Sequence, residues 1–402
     1  ILTFLYEQTT KKNLPKSVPE PLAKSENKNL EFLVKNFQQT SWMILGVFML
    51  IIIFIRARFL GVPLERDEGE YAYMGQLLLN GYAPYEQAYN MKYPGTAIMY
   101  ALFTSIFGAT AKGIHTGLLV TNLVSISLVY LVAKNWMNKT AAIMSAVCFG
   151  VLSLGYQILG FALHATHFVT LFALAGVWLL LEAFKKERLS LYFGGGIFFS
   201  LSFIMKQSGM FFMGFAFMAT SIHLFLNGRL FKPDGFKKLA IITLGLILPF
   251  VIMLFWIYAS GAFDKFWFWT YTYLKEYGTY ITFSRGIELF IIQIKNQLAG
   301  KYILYLVSIL GFLTMLFPKI TSKETKILMI LFIIFSFLTV VPGLYFRAHY
   351  FITLLPALSI CAGFFVENVS EQKLIQSSIS KTLGIGIIVL GCIVALAHDK
   401  EY

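Results

Sequence analysis

An aspartate followed by a glutamate, Asp67-Glu68, lies in the segment Leu64-Glu-Arg-Asp-Glu-Gly-Glu-Tyr-Ala-Tyr73, which also carries Glu65, Arg66 and Glu70. A carboxylate at a membrane surface can serve as general base towards an attacking hydroxyl or amine. Inverting transfer of a sugar needs one such base opposite the leaving group. A solvated loop would have the same composition, so this pair needs support from elsewhere in the chain.

Four further groups offer that support. Lys92-Tyr-Pro-Gly95 has a proline that biases Tyr93 towards extended backbone and a glycine that permits close approach. Such a turn either aims Lys92 at an anion or simply starts a helix. Lys206 and Gln207 end one apolar run, where a cation and an amide suit a phosphate and a sugar hydroxyl. Tyr345-Phe-Arg-Ala-His-Tyr350 opens another run. Its Arg347 can grip phosphate oxygens with two donors, beside His349 and Tyr350. His164 and His167, three apart, share a helix face. Two imidazoles are too few for a metal site, and substrate contact or a buried hydrogen bond accounts for them better. The sequence lacks the glycine-rich phosphate loop, HExxH and GxSxG signatures.

The elements that must position these residues are membrane helices. Of the 402 residues, 57% are hydrophobic and 13% charged, about half the charged share of a soluble protein. Apolar runs recur at roughly 41–60, 114–133, 140–159, 165–184, 191–205, 208–226, 239–260, 302–317, 327–342, 349–366 and 382–397. The reading is an all-α polytopic membrane protein with about eleven transmembrane helices. The net charge of +13 fits positive-inside bias and anionic lipid, and gives no reason to invoke nucleic acid. Cys148, Cys361 and Cys392 each sit within an apolar run and frame no disulfide.

Residues 1–40 read as a basic cytoplasmic tail and 41–398 as the membrane domain. With the Lys/Arg clusters inside, parity places the 61–95 loop, the loops near 155–165, 206–208 and 343–349, and the long aromatic segment 261–301 outside. The run 96–108 then has both ends outside and is re-entrant or oblique. Glu70–Asn80 forms a short helix at the membrane surface, with Tyr71 on its apolar face, and 286–299 forms a second amphipathic helix. Every polar residue singled out above falls at the outer ends of the runs. A charge within a membrane segment is costly, about 2.5–3.5 kcal/mol by insertion scales, so their convergence implies a shared polar cavity.

In order and motif, the chain resembles the multi-spanning GT-C glycosyltransferases, in the bacterial branch of the protein O-mannosyltransferase and aminoarabinose transferase superfamily. The resemblance covers about 41–366 and rests on Asp-Glu followed by Gly-Glu-Tyr-Ala-Tyr, on Lys-Tyr-Pro-Gly and on Phe-Arg-Ala-His-Tyr. It implies a polyprenyl-phosphate sugar as donor, a lipid, glycan or protein as acceptor, and an active site on the outer face of a bacterial inner membrane. Asp67 matches the family's first-loop catalytic acid, with Glu68 beside it. Lys92-Tyr-Pro-Gly looks like the family's Lys-Pro-Pro turn, with Tyr93 replacing the first proline. Some members carry an acid just before that lysine, where this chain has Met91, and Glu86 is the substitute nearby in sequence. Lys92, Lys206 and Arg347 would stabilise the leaving lipid phosphate. No cofactor is required, although some relatives use a divalent metal. Many members add a soluble domain that this chain is not expected to carry. Two other functions share the many spans: a transporter or flippase of lipid-linked sugars, and a glycan ligase or polymerase.

Overall fold

A computed structural model describes residues 41–317, 321–371 and 378–399, with side chains for 43–317, 321–368 and 382–399. The expected tail 1–40, Lys319, Lys373 and the Lys381 side chain lie outside these residues. Sixteen α-helices and no strand occur among the described residues. In hydrocarbon this is the economical solution, because each helix satisfies its own backbone amides.

The first helix, α1 (Ser41–Ala57), leads into α2 (Arg66–Leu79), the helix expected at the surface, which begins four residues earlier than the sequence suggested. The extra turn comes from a capping box. The Glu65 carboxylate accepts from the Asp67 amide at 2.7 Å, and Glu68 accepts from the Glu65 amide at 3.0 Å. Next come α3 (Gly95–Phe107), α4 (Ala111–Ala133) and α5 (Lys139–Leu152). The expected run 140–159 is helical only to Leu152; beyond it the chain turns through a short 3-10 turn, Tyr156–Ile158. Then follow α6 (Ala165–Lys186), α7 (Leu189–Met205), a 3-10 turn at Gln207–Gly209, α8 (Met210–Leu226) and α9 (Pro233–Ala259).

The aromatic segment after α9 is almost wholly helical. It comprises α10 (Phe263–Trp267), a π-helical stretch Phe268–Tyr273, α11 (Leu274–Thr279) and the amphipathic α12 (Phe283–Leu298). The remaining helices are α13 (Tyr302–Met315), α14 (Lys323–Leu338), α15 (Leu355–Glu371) and α16 (Ser378–Asp399). Two 3-10 segments, Pro342–Leu344 and Ala348–Thr353, separate α14 from α15.

By length and apolarity, five segments among the described residues can cross a bilayer, α4, α6, 207–226, α9 and 382–399, and a sixth if α12 and α13 form one broken span. The expected count of eleven is therefore not reached on these criteria. Helices α12 and α13 are bent by 106° to one another, and α3, α5, α7 and much of α1 and α15 are apolar but shorter. Short 3-10 segments adjoin α5, α7 and α15.

The core is built by α6 on α7, α7 on α9, α13 on α15 and α15 on α5. Helix α3 packs on α2, and also on α4 and α7. At one end its Gly95 abuts Ile204 and Met205, the last residues of α7. At the other, Gly113 at the start of α4 abuts Phe107 and Gly108. The apparatus at the ends of α2, α6, α7 and α14 thus shares one end of the bundle.

Candidate active site

Asp67 stands at the centre of that end. Its side chain is 13% exposed. One oxygen accepts from Arg66 at 3.0 and 3.2 Å, and the other faces Tyr71 Oη at 3.5 Å and His164 Nδ1 at 4.0 Å. Burial by itself would raise the carboxyl. The charge of Lys92 and the Arg66 hydrogen bond, with His164, outweigh it and hold Asp67 below the usual carboxylate range. Asp67 is therefore ionised at neutral pH.

Lys92 is aimed by the turn before it. The Lys92 amide donates to Asn90 Oδ1 at 2.7 Å, Tyr85 Oη donates to the Lys92 carbonyl at 2.7 Å, and Gln207 Nε2 donates to the Met91 carbonyl at 2.6 Å. Its ammonium sits 4.8 Å over the Tyr71 ring. Burial lowers the Lys92 ammonium below its usual range, and Asp67 and Glu70 oppose that fall. Lys206, in extended backbone where α7 ends, places its ammonium 3.4 Å over the Tyr350 ring. Arg347 precedes the second 3-10 segment, donates to Tyr277 Oη at 3.3 Å and lies 5.4 Å over Tyr345. Leu344 and Phe346, next to it, adopt positive φ of 57° and 44°, which costs non-glycine residues strain and turns the chain sharply into the site.

His164 caps the start of α6 and stacks on His349 with centroids 4.0 Å apart and planes at 8°. Loop 153–164, which presents His164, is clamped on three sides. Buried Arg56 donates to the carbonyls of Ser153 and Gly160 and to Asn122 Oδ1. Tyr100 Oη donates to the Leu163 carbonyl at 2.5 Å. Glu68 accepts from the Leu163 amide at 2.6 Å.

Several expected site residues are thereby placed elsewhere. Glu68 is 0% exposed, and its oxygens are taken by the Leu163 and Glu65 amides and the His115 ring at 3.3 Å. His115 faces the Leu60 carbonyl with its other nitrogen, so a doubly protonated ring satisfies both acceptors. Glu68 is a clamp, set apart from the exposed surface of the site. Glu86 is exposed and caps the Ala83 amide at 3.0 Å, so it does not fill the place of Met91. Gln207 Nε2 holds the Lys92 turn, and Tyr93 packs against Phe203, Phe250 and Phe266. His167 is buried with both ring nitrogens unpaired, and His349, not His167, joins His164. Sequence reading missed Asn90, Tyr277 and His115, which are isolated in sequence and meaningful only through their partners.

Ligand atoms of Asp67, His164 and His349 lie within 4.8 Å of one another. A metal must lie near the plane of each imidazole it binds. The two rings are almost parallel, so as placed their lone pairs do not meet at a common point. The trio suits hydrogen bonds to a polar ligand better than shared coordination. The unpaired Nδ1 and Nε2 of His164 and Nδ1 of His349 leave such bonds open.

Comparison with known proteins bears on the fold. No curated protein sequence matches the chain. Residues 91–256 match the family model described as dolichyl-phosphate-mannose-protein mannosyltransferase, less than half of the chain. That stretch contains Lys92, His164 and Lys206 but neither Asp67 nor Arg347. Among solved structures, ArnT from Cupriavidus metallidurans bound to undecaprenyl phosphate is similar with TM-score 0.59 and 15% identity, over 90% of this chain and 73% of that one. The apo oligosaccharyltransferase of Archaeoglobus fulgidus is similar with TM-score 0.59 and 14% identity, over 89% of this chain. Archaeal AglB from the same organism, in complex with an inhibitory peptide and a dolichol-phosphate, gives TM-score 0.56 and 11% identity over 90%. The chain has the GT-C fold. It spans 56% of the length of each oligosaccharyltransferase chain. Within this GT-C fold the clustered carboxylate, imidazoles and cations occupy one end of the helices, at the start of α2, α6 and α8.

Proposed function

We propose that this chain is a membrane glycosyltransferase that moves a sugar from a polyprenyl-phosphate donor to a hydroxyl or amine of a lipid, glycan or protein acceptor. The observation that carries the reading is one ionised carboxylate, Asp67, at a site shared with three basic side chains, Lys92, Lys206 and Arg347, whose nitrogen groups sit on aromatic faces. The lipid phosphates named for ArnT and AglB support the donor class.

In the proposed step the acceptor oxygen attacks the anomeric carbon from the face opposite the phosphate. Its proton passes to Asp67, the anomeric carbon–phosphate oxygen bond breaks, and polyprenyl phosphate leaves with the bonding pair. Lys92, Lys206 and Arg347 carry the added charge on the phosphate. Configuration inverts, because a single displacement uses opposite faces. His164 and His349 offer hydrogen bonds to sugar or acceptor hydroxyls. With the basic connections inside, this end of the bundle faces the outer side of the cell membrane.

A flippase would carry its polar groups near the bilayer midplane between inverted repeats. Here they gather at one end of the helices, which favours surface chemistry. The test is transfer from radiolabelled polyprenyl-phosphate sugars in membranes bearing wild type or Asp67→Asn. Loss of transfer with donor binding retained is expected. Undiminished transfer by the variant overturns the general base, and equal loss of donor binding moves Asp67 to a binding role.

A further inference from the structure

The motif's second acidic position, just before Lys92, is Met91 in this chain, and neither Glu68 nor Glu86 takes over its place. One acid on α2 remains. Glu70 lies three residues after Asp67, on the same helix face. It is half-buried, and Asn90 Nδ2 donates to its Oε1 at 2.8 Å. The same Asn90 receives the Lys92 amide on its Oδ1. One buried side chain therefore ties the Glu70 carboxylate to the backbone that aims Lys92. Tyr71, whose ring lies beneath the Lys92 ammonium, is the next residue in sequence. Among the described residues neither Glu70 nor Asp67 forms a direct ion pair with Lys92. The two carboxylates are near enough to favour the charged lysine and too far to occupy its donors.

We propose that Glu70 is the second carboxylate of this site, a positioning residue that keeps the Lys92 ammonium charged and free to receive the lipid phosphate. The proposal rests on the polyprenyl-phosphate reading above. The charged and titratable groups facing Lys92 come from every neighbouring element: Arg66, Asp67 and Glu70 from α2, Lys206 from the end of α7, His164 before α6, and Arg347 and His349 after α14. Arg66, Lys206 and Arg347 work against a charged Lys92, so the two carboxylates are its counterweight. Burial raises Glu70 above its usual range, with Lys92 opposing, as a carboxylate and an ammonium that favour each other's charged forms would do.

The sign follows. Removing one anion beside a buried ammonium lowers the pH at which that ammonium loses its proton. The test uses the full chain in detergent and two readouts across pH. One is acylation of Lys92 by acetic anhydride, followed by mass spectrometry. The other is binding of decaprenyl phosphate. In Glu70→Gln the Lys92 midpoint falls by about one pH unit, and alkaline binding weakens about tenfold. Binding near pH 6 stays undiminished, because one repelling charge is gone. Glu70→Asp restores most of the midpoint. Asn90→Ala, which frees the carboxylate without removing it, moves the midpoint in the same direction but less. These two variants carry the test if Glu70→Gln does not fold. An unmoved midpoint in folded Glu70→Gln overturns the proposal. A midpoint that moves in a protein that binds no decaprenyl phosphate, even as wild type, overturns the phosphate reading instead and Glu70's part in it.

Discussion

Two groups of basic side chains, one at each end of the bundle, are handled in opposite ways. At the end carrying the basic connections, cations are paired. Lys238, 1% exposed, donates to Glu187 and to Asp234, and Arg229 donates to the same two carboxylates. His223 meets Glu324 at 2.5 Å and stacks on Phe184. Together these contacts staple the α6–α7 connection to α8, α9 and α14. At the Asp67 end, Lys92, Lys206 and Arg347 have no carboxylate within ion-pair distance among the described residues and rest on tyrosine rings. A paired ion has spent its donors, and losing its partner costs stability. An ion held by a ring's quadrupole keeps its N–H groups available. In the proposed function, the contrast separates charges that hold helices together from charges that receive the lipid phosphate.

Substitutions sharpen this contrast. Lys92→Ala should reduce transfer by about 10²-fold, the scale set by losing one stabilising donor, with little change in melting temperature. Lys238→Ala should do the reverse: a melting temperature lower by about 2–4 °C per kcal/mol lost, and specific transfer per folded molecule kept. If both variants lose transfer and stability alike, the division between the two ends is wrong. Tyr350→Leu removes the ring beneath Lys206 and should weaken donor binding by about 3–30-fold, whereas Tyr350→Phe retains it. Measuring the donor KM distinguishes the two.

The pH profile follows from the same charges. Asp67 is held below the usual carboxylate range, so its contribution is present above that range and lost only as pH falls through its lowered value. Lys92 lies below the ordinary lysine value, so the alkaline limb should begin earlier than a free lysine would give. A kcat/KM profile with an acid limb near pH 6 assigned to Asp67 would break this account. The smallest expected effect is that of a chelator. With the His164 and His349 rings parallel, EDTA should leave transfer within about twofold of the untreated rate.

Local chemistry made part of this molecule readable in the sequence. The apolar runs give the helices, and a Lys-Tyr-Pro-Gly turn is visible as such. Asp67 stood out because its neighbours form a motif. The crossing count was not readable, because helices α5 and α15 yield to 3-10 turns where the chain bends towards the site. Glu68 was misleading for a physical reason. Its partners, the Leu163 amide and His115, are 95 and 47 residues away, so adjacency to Asp67 says nothing of which way it points. Gln207 and Glu86 each bond a backbone group that their place in the sequence does not announce. Glu70 was legible in principle, as the residue one helical turn beyond Asp67.

The π-helical stretch Phe268–Tyr273 carries a geometric consequence. Before it, Phe266 meets Tyr85 and Tyr93; within it, Trp269 stacks on Tyr89; after it, Tyr277 stacks on Tyr345 and bonds Arg347. A single wide turn accommodates one residue more than an α-turn and so offsets everything beyond it by ~100° about the axis. The stretch works as a phase shifter, setting the two halves of one rod to different clock positions so that each meets its own surface. Deleting one residue between 268 and 273 should restore an ordinary helix, with its circular dichroism intact, while swinging Tyr277 away from Arg347.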